Sequence, residues 1–374
     1  MKNLKILMVI KTMRLDGGVE TSVASIVNEV YSRGCNVFIV SFTENYENDL
    51  LQRLDIPKDK ILHLGKIKTV NILYKIYKLR KIIRKEKFNI IHTHLFHASL
   101  VGRLASIGLN CSAIATEHST FFNWWKWYHY LIDRMLSHNI TKEHIAVSRS
   151  VAATLAARTG ILPNKINIIN NAVDTKRFKF DRGNNTKRNI KNILLVGRLE
   201  YSKNIDYALK IFEEISIKNT SLTLTISGDG TQKEQLKNIY KNNTKIKFIG
   251  VEKDISSLMK KMDVLFLSSH WEGCPMTIIE SFSVGLPVIA TSVPGVIDIV
   301  SDQITGILID PEKIKESSEK IEKFINNKEL QNYITKNARK ESERFSPKNI
   351  TDKLIEVYTK SLKKKDLIND KTKN

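Results

Sequence analysis

No run of eighteen or more apolar residues occurs in this 374-residue sequence, which removes a membrane-spanning helix from the options. Cysteine is scarce. Cys35, Cys111 and Cys274 show neither metal-site spacing nor the count of a disulfide framework, so the expected compartment is the reducing cytoplasm. The apolar stretch in the amino-terminal MKNLKILMVIKTMR is short and is followed at once by Lys11 and Arg14. That pattern suits a first strand better than a signal peptide. Neither GxxxxGK[ST] nor GxGxxG is present, so a P-loop and the dinucleotide fingerprint are both excluded. No nucleic-acid recognition motif is found either.

What the sequence does have is positive charge. The formal net charge is +21, and residues 1–180 hold 27 Lys and Arg against 13 Asp and Glu. Such a balance fits nucleic acid, an anionic membrane surface or a phosphate-rich substrate, and composition alone does not separate them. The length exceeds what one hydrophobic core supports and suits two domains.

Short apolar strands alternate with helix-period segments from end to end. In the first half the strands read 5–10, 36–42, 89–95, 112–118, 144–148 and 166–169. In the second half they read 192–197, 222–228, 245–250, 263–269, 287–291 and 306–310. Between them lie helical patterns such as 18–33, 69–87, 204–218, 275–284 and 313–326. Near-continuous apolar strands joined by helices predict parallel sheets covered on both faces. The basic, Asn-rich stretch 174–191 breaks the rhythm and reads as a linker. The expected organisation is a Rossmann-like domain over 1–175, a linker over 176–191 and a second Rossmann-like domain over 192–346. A helix over 347–363 and a disordered tail over 364–374 complete it. Ligands in such sheets sit beyond the carboxyl ends of strands, so two facing domains predict an interdomain cleft.

Four motifs carry candidate chemistry. In HWEGCPMTIIESF (270–282), Glu272 falls on a strand-end loop and Glu280 lies about one and a half turns into the next helix. Free N–H groups near Met276 and Thr277 favour a phosphate. Glu280 repels that phosphate but can accept hydrogen bonds from ribose hydroxyls, and Glu272 can do the same for a sugar. The alternative is a solvated helix residue and a cap partner. In VGRLEYSKN (196–204), Arg198 and Lys203 follow a strand and can neutralise a diphosphate, or form an ordinary basic loop. The turn ISGDG (226–230) places Gly228 and Asp229 at another strand end. In LDGGVE (15–20), Gly17 and Gly18 either admit a ligand close to the backbone or make a plain tight turn.

Histidines gather in HTHLFH (92–97) and TEHS (116–119). His92 and His94 share a strand face, but no carboxylate or cysteine completes a familiar metal set, so no metal is expected. His118 is a lone polar residue at a strand end, with a structural role against a loop as the alternative.

These motifs together resemble the retaining GT-B glycosyltransferases of family four. The resemblance spans roughly residues 4–360. It rests on GGVE, the TEHS histidine, AVSRSV (146–151), NNAVDTKRF (170–178), VGRLEYSKN, GDG and the EGCP…E run, in family order. It implies a GT-B fold of two Rossmann-like doubly wound domains. It also implies transfer of a sugar from a nucleotide-diphosphate sugar, with a UDP-sugar expected, and with the anomeric configuration retained. Glu280 would bind ribose and Glu272 the donor sugar. Arg198 and Lys203 would hold the diphosphate, His118 would lie against the donor sugar, and Gly17 and Gly18 would line the phosphates or acceptor. Gly273, Pro275, Met276 and Thr277 join the donor-binding set. No cofactor or metal would be required. The final helix would dock on the first domain. The chain departs from the family pattern at Ala172, Cys274 and Phe282.

The acceptor is read from two basic or aromatic stretches. Residues 66–88 hold nine Lys and Arg and one acid, with apolar residues at helical spacing, and can lie on an anionic membrane surface. The run FFNWWKWYHYLIDRM (121–135) follows His118 directly and suits a membrane interface or an acceptor groove. His94, Trp124 and Trp125 are the acceptor candidates. A core-facing helix with a solvated basic side is the alternative for both stretches, and in 121–135 the density of Trp weighs against it. The expected protein is a hexosyl- or N-acetylhexosaminyltransferase, peripheral on the inner face of the cell membrane. It would act on a lipid-linked glycan in surface polysaccharide or glycoconjugate synthesis. The rival readings are a nucleotide-sugar epimerase of related fold and a non-enzymatic protein that binds nucleic acid or an anionic surface.

Overall fold

Residue alternation decides how the first sheet is covered. In β1 (Lys5–Ile10), Ile6, Met8 and Ile10 join one buried cluster while Leu7 and Val9 join another. Successive side chains of a strand point to opposite faces, so a strand that is apolar at every position needs cover on both sides. One cover comes from the helix Gly18–Ser32 through Val23, Val27 and Val30. The other comes from the helices Ile72–Glu86 and Phe96–Ser106 through Leu79, Ile83, Ala98 and Val101.

The computed structural model describes residues 4–13, 17–42, 49–65, 72–122, 125–180 and 189–371. Two compact units result: residues 1–174 with 346–374, and residues 175–345. The first unit adds β2 (Asn36–Ser41), β3 (Ile61–His63), β4 (Ile90–His94), β5 (Ser112–Glu117), β6 (Thr141–Ala146) and β7 (Ile166–Ile168). Its parallel sheet runs β3-β2-β1-β4-β5-β6-β7. The second unit holds β8 (Asn192–Val196), β9 (Thr223–Ser227), β10 (Ile246–Gly250), β11 (Val264–Leu267), β12 (Val288–Thr291) and β13 (Ile307–Ile309). Its parallel sheet runs β10-β9-β8-β11-β12-β13. One face packs Ile193, Leu195, Leu224 and Phe266 against Leu209, Phe212, Ile321 and Phe324. Leu194, Leu265 and Leu267, at the alternate positions, are buried as well.

The structure corrects the sequence reading in four places. Strand β3 has no counterpart in it. Its three residues pair with β2 alone and none of them is fully buried, so no buried apolar run marks it. Strand β6 begins at Thr141, not 144, and so includes Glu143, which is buried and bonded by Lys360 Nζ (3.1 Å) and Asn167 Nδ2 (3.1 Å). Residues 176–180, read as linker, pack on the second unit. Arg177 Nη2 donates to Lys253 O (2.7 Å), Ser256 Oγ donates to Arg177 O (2.7 Å), and Phe180 lies against Gly285. Residues 181–188 of the expected linker lie outside the described residues, and Ile190 near its end is buried in the second unit's core.

The fourth correction is the carboxyl terminus. The last helix runs Pro347–Lys371, past the expected stop at 363 and into the expected tail. The segment 361–371 contains neither glycine nor proline, so nothing in it terminates a helix. Residues 372–374 lie outside the described residues. Ile350, Leu354, Val357 and Tyr358 of this helix are buried in the first unit's core with Ile6 and Met8. Arg33 fastens its start through Asp352 Oδ1 (2.5 Å) and Lys348 O (2.9 Å).

Buried His92 fastens its middle. Nδ1 pairs with Tyr358 Oη at 2.7 Å and Nε2 with Thr116 Oγ1 at 2.7 Å. Tyr358→Phe removes one partner of a buried ring nitrogen, which costs about 1–3 kcal/mol. Urea unfolding followed in the first unit will show a lower midpoint at unchanged slope. An unchanged midpoint would mean that the bond adds no stability.

Candidate functional site

In the second unit β8 and β11 are neighbours in the sheet but not in the chain. The sheet reverses its order there, the place where open parallel sheets leave room for ligands at strand carboxyl ends. The loop after β8 carries Arg198 and Lys203, and the loop after β11 carries Glu272, Gly273 and Pro275. His270 N donates to Ser202 O (2.9 Å) and Ser268 Oγ to Lys203 O (2.8 Å), joining the two loops. Glycine lets the neighbouring backbones come this close. A Cβ on Gly228 would stand 1.8 Å from Gly197 O. Gly295, at φ +82°, would place one 2.3 Å from Glu272 O, so the loop after β12 supports the Glu272 backbone only while residue 295 has no side chain.

Here the structure refines the charge assignment. Lys203 is not a lone cation: its Nζ pairs with Glu272 Oε1 at 2.5 Å, and Ser269 Oγ donates to the same oxygen at 2.7 Å. The two side chains are 20% and 10% exposed, so the pair is shielded more than a surface ion pair. The reversed strand order brings together two charges that stand 69 positions apart in sequence. Arg198 is exposed, and its guanidinium has no side-chain partner among the described residues.

Beside this pair begins the helix Met276–Val284, with Pro275 as N-cap and Gly285 in the left-handed region as its stop. No side chain caps its start. The N–H groups of Met276 and Thr277 have no backbone acceptor among the described residues, which leaves a partial positive charge at the strand edge. Glu280 lies in the second turn, half-buried between buried Ile279 and buried Ser281. Asp229 turns its carboxylate to Gly230 N (2.8 Å) and Lys233 Nζ (3.1 Å). Those bonds, the backbone one first, hold its pKa below the usual carboxylate value. Ser269 and Gly295 escaped the sequence reading. The only sequence signal for Gly295 was a Pro-Gly turn, and Ser269 had none.

In the first unit, His94 Nδ1 and His118 Nε2 are 3.1 Å apart, across the carboxyl ends of adjacent β4 and β5. His92 stands behind, its ring 4.2 Å from that of His94. Loss of water around the rings drives all three pKa values down, His92 to about 3 and His94 well below 6.5. A side-chain hydrogen bond with Asn171 opposes the shift at His118. Each of these imidazoles is therefore neutral at pH 7.

The acceptor candidates come out differently. His94 is 2% exposed and Trp125 is 7% exposed, the latter packed on Phe96, Phe122 and Arg158. Both are interior residues: His94 ends the central strand β4, and Trp125 is covered by Phe122 and Tyr130 of the aromatic run itself. Trp124 lies outside the described residues. Gly17 caps the helix Gly18–Ser32, and the Glu20 carboxylate, bonded by Thr12 Oγ1 (2.6 Å), lies over it. Ala172, where the family pattern has glycine, is fully buried, with its N–H on Ser22 Oγ (2.8 Å).

Two family models match adjoining stretches. Residues 16–177 match Glycosyltransferase Family 4 and residues 174–341 match Glycosyl transferases group 1. The chain is similar to the UDP-Gal:alpha-D-GlcNAc-diphosphoundecaprenol alpha-1,3-galactosyltransferase of Escherichia coli. That likeness is 28% identity over 341 residues, covering 84% of this chain and 85% of the relative. The capsular polysaccharide biosynthesis glycosyltransferase CapM of Staphylococcus aureus is 25% identical over 343 residues, covering 86% and 88%. Among solved structures, Anabaena HepE in complex with UDP-glucose has a TM-score of 0.81 at 19% identity, covering 96% of this chain and 100% of that one. The fold is GT-B, with two Rossmann-like parallel-sheet domains.

The histidines give a pH test. His92 and His94 titrate lower in the folded chain than the ordinary 6.5, so below that pH the unfolded chain binds protons that the folded chain refuses. Stability from this source is complete above about pH 6.5 and falls as pH drops, for His92 by about 1 kcal/mol per pH unit down to about pH 3. The urea midpoint at pH 5 will be lower than at pH 7.5, and His92→Gln will reduce the difference. Equal midpoints at the two pH values would contradict neutral burial.

Proposed function

The chain belongs to the group 1 glycosyltransferases of family 4, related to those of bacterial polysaccharide synthesis, and from that premise we propose a retaining transfer of a hexosyl or N-acetylhexosaminyl group. The donor is a UDP-sugar and the acceptor a lipid-linked glycan. One observation carries this reading: Arg198, Lys203 and the open N-terminus of the helix Met276–Val284 converge at the carboxyl ends of β8 and β11. The donor supplies the negative diphosphate that such a site suits. UDP and a diphosphoundecaprenol acceptor are taken from the names of the similar proteins.

In this mechanism the bond from the anomeric carbon to the diphosphate breaks, and its electron pair leaves with the phosphate. Arg198, Lys203 and the N–H groups of Met276 and Thr277 stabilise the growing charge. Preset cations and dipoles of this kind lower a barrier because they need no reorganisation. The acceptor hydroxyl attacks from the face the phosphate leaves, and the phosphate takes its proton. Configuration is thereby retained without a side-chain nucleophile. Glu280, beyond the phosphates on the same helix, accepts the ribose hydroxyls. Glu272 exchanges Lys203 for a hydroxyl of the donor sugar, and the freed Lys203 turns to the diphosphate. His118, neutral, accepts or donates one hydrogen bond at the donor sugar. Protein cations do the work that a divalent metal does elsewhere, so the reaction is metal-independent.

The acceptor reading rests on exposed apolar surface in the first unit. On the helix Trp127–Asn139, Trp127, Leu131 and Met135 recur every four residues and are 76%, 60% and 52% exposed. Leu73 and Tyr77 stand exposed on the basic helix Ile72–Glu86. Apolar side chains among cations suit the surface of an anionic bilayer. No helix among the described residues is long and apolar enough to cross a membrane. The exposed apolar and basic surface supports a peripheral position, which we propose to be on the cytoplasmic face.

Two experiments test the proposal. A panel of UDP- and GDP-sugars with a polyprenyl-diphosphate glycan will give one productive UDP-sugar and an α-linked product from an α-linked donor. Arg198→Ala and Lys203→Ala will each lower kcat by about 100-fold or more. Turnover at the wild-type rate in either variant contradicts the assignment. Flotation with anionic vesicles at low salt will carry the protein upward, and replacing Trp127, Leu131 and Met135 by Ser will reduce that fraction. A wild-type protein that stays in the soluble fraction refutes the membrane part.

A further inference from the structure

A buried chain of four charges ends on the backbone of His118. Arg103 Nη2 donates to Asp133 Oδ1 (2.6 Å), Arg158 Nε to Asp133 Oδ2 (3.0 Å), and Arg158 Nη2 to Glu117 Oε2 (2.7 Å). The side chains are 2%, 5%, 4% and 10% exposed in that order. Two cations and two anions cancel. Arg103 is held further by Ser99 O, Ser137 Oγ and Thr141 Oγ1. The chain thus ties together the helices Phe96–Ser106, Trp127–Asn139 and Arg149–Thr159.

Its far end does something that core packing does not require. Glu117 is the last residue of β5, and its second oxygen accepts the N–H groups of His118 (2.9 Å) and Ser119 (3.3 Å). Those donors stand just beyond the strand. The carboxylate sets the backbone direction at the residue from which the His118 ring leaves. Arg158 holds the same loop from its other side. Its guanidinium carbon lies 4.3 Å from the Phe122 ring and 4.6 Å from the Trp125 ring, the distance of a cation–π contact. Apolar residues of similar volume fill a core at equal or lower cost than buried ions. What the ions add is direction.

We propose that Glu117 and Arg158 are positioning residues that fix the orientation of His118 towards the donor sugar. The proposal rests on the role given to His118 above. Arg158 orients the Glu117 carboxylate, Glu117 orients the 118–119 turn, and the turn aims the ring.

A double-mutant cycle tests it. Glu117→Ala will lower kcat by about 10- to 100-fold, the size expected for a small misplacement of a group near the chemistry. UDP affinity will stay within about twofold, because the change removes no ligand contact. Glu117→Gln keeps an oxygen for the two N–H groups but releases Arg158. It will lower kcat by about three- to tenfold, and it preserves the test should Glu117→Ala not fold. In the His118→Ala background neither change will lower kcat further, since coupled residues are not additive. Equal losses with and without His118 would reduce Glu117 to a structural role and overturn the proposal. Wild-type kcat in His118→Ala would overturn the premise as well, and the two failures are told apart by that single variant.

Discussion

In an all-parallel sheet every strand delivers its carboxyl end to the same edge, and everything functional in this protein follows from that constraint. Each strand must be followed by a crossover before the next can begin, so each carboxyl end opens into a loop. In the second unit the reversal between β8 and β11 puts two such loops side by side. Lys203 and Glu272 meet there although neither lies near the other in sequence. The first unit reverses in the same way between β1 and β4. His94 and His118 meet at the ends of the next two strands.

The two units use charge differently. In the second, cations are exposed or half-shielded, and the helix Met276–Val284 keeps its N-terminus open. Such a surface is suited to an anion that comes and goes. In the first, the ions of Arg103, Asp133, Arg158 and Glu117 are buried and mutually cancelling, and the histidines are held neutral by loss of water. Such an interior holds geometry. The transfer proposed above asks that a leaving phosphate be stabilised and that a sugar be kept in one pose.

Much of the fold was legible because parallel strands are apolar at nearly every position, and the chain marks them with Gly, Asn and Asp at their ends. Strand β3 was not, since none of its three residues is fully buried and its only partner is β2. The polar start of β6 was not, because Glu143 is tolerated only where Lys360 and Asn167 reach it. Arg198, Lys203, Glu272 and Glu280 were legible as charged residues at strand ends or in the helix that follows. The partner of Lys203 was not, nor was the interior position of His94 at the end of β4, nor that of Trp125, whose sequence neighbourhood looks like an exposed aromatic surface.

The sequence by itself determined the alternation of strands and helices, the division into two units and the residue types placed at each strand's end, because these depend on local periodicity and on breakers a few residues apart. The tertiary structure alone decided which strand ends became neighbours. It therefore also decided which charges were neutralised, which histidines were desolvated and which end of the chain closed the first unit's core. Pairings between residues as distant as His92 and Tyr358 leave no local signal. They are selected by the packing of whole elements, and only the folded chain holds them.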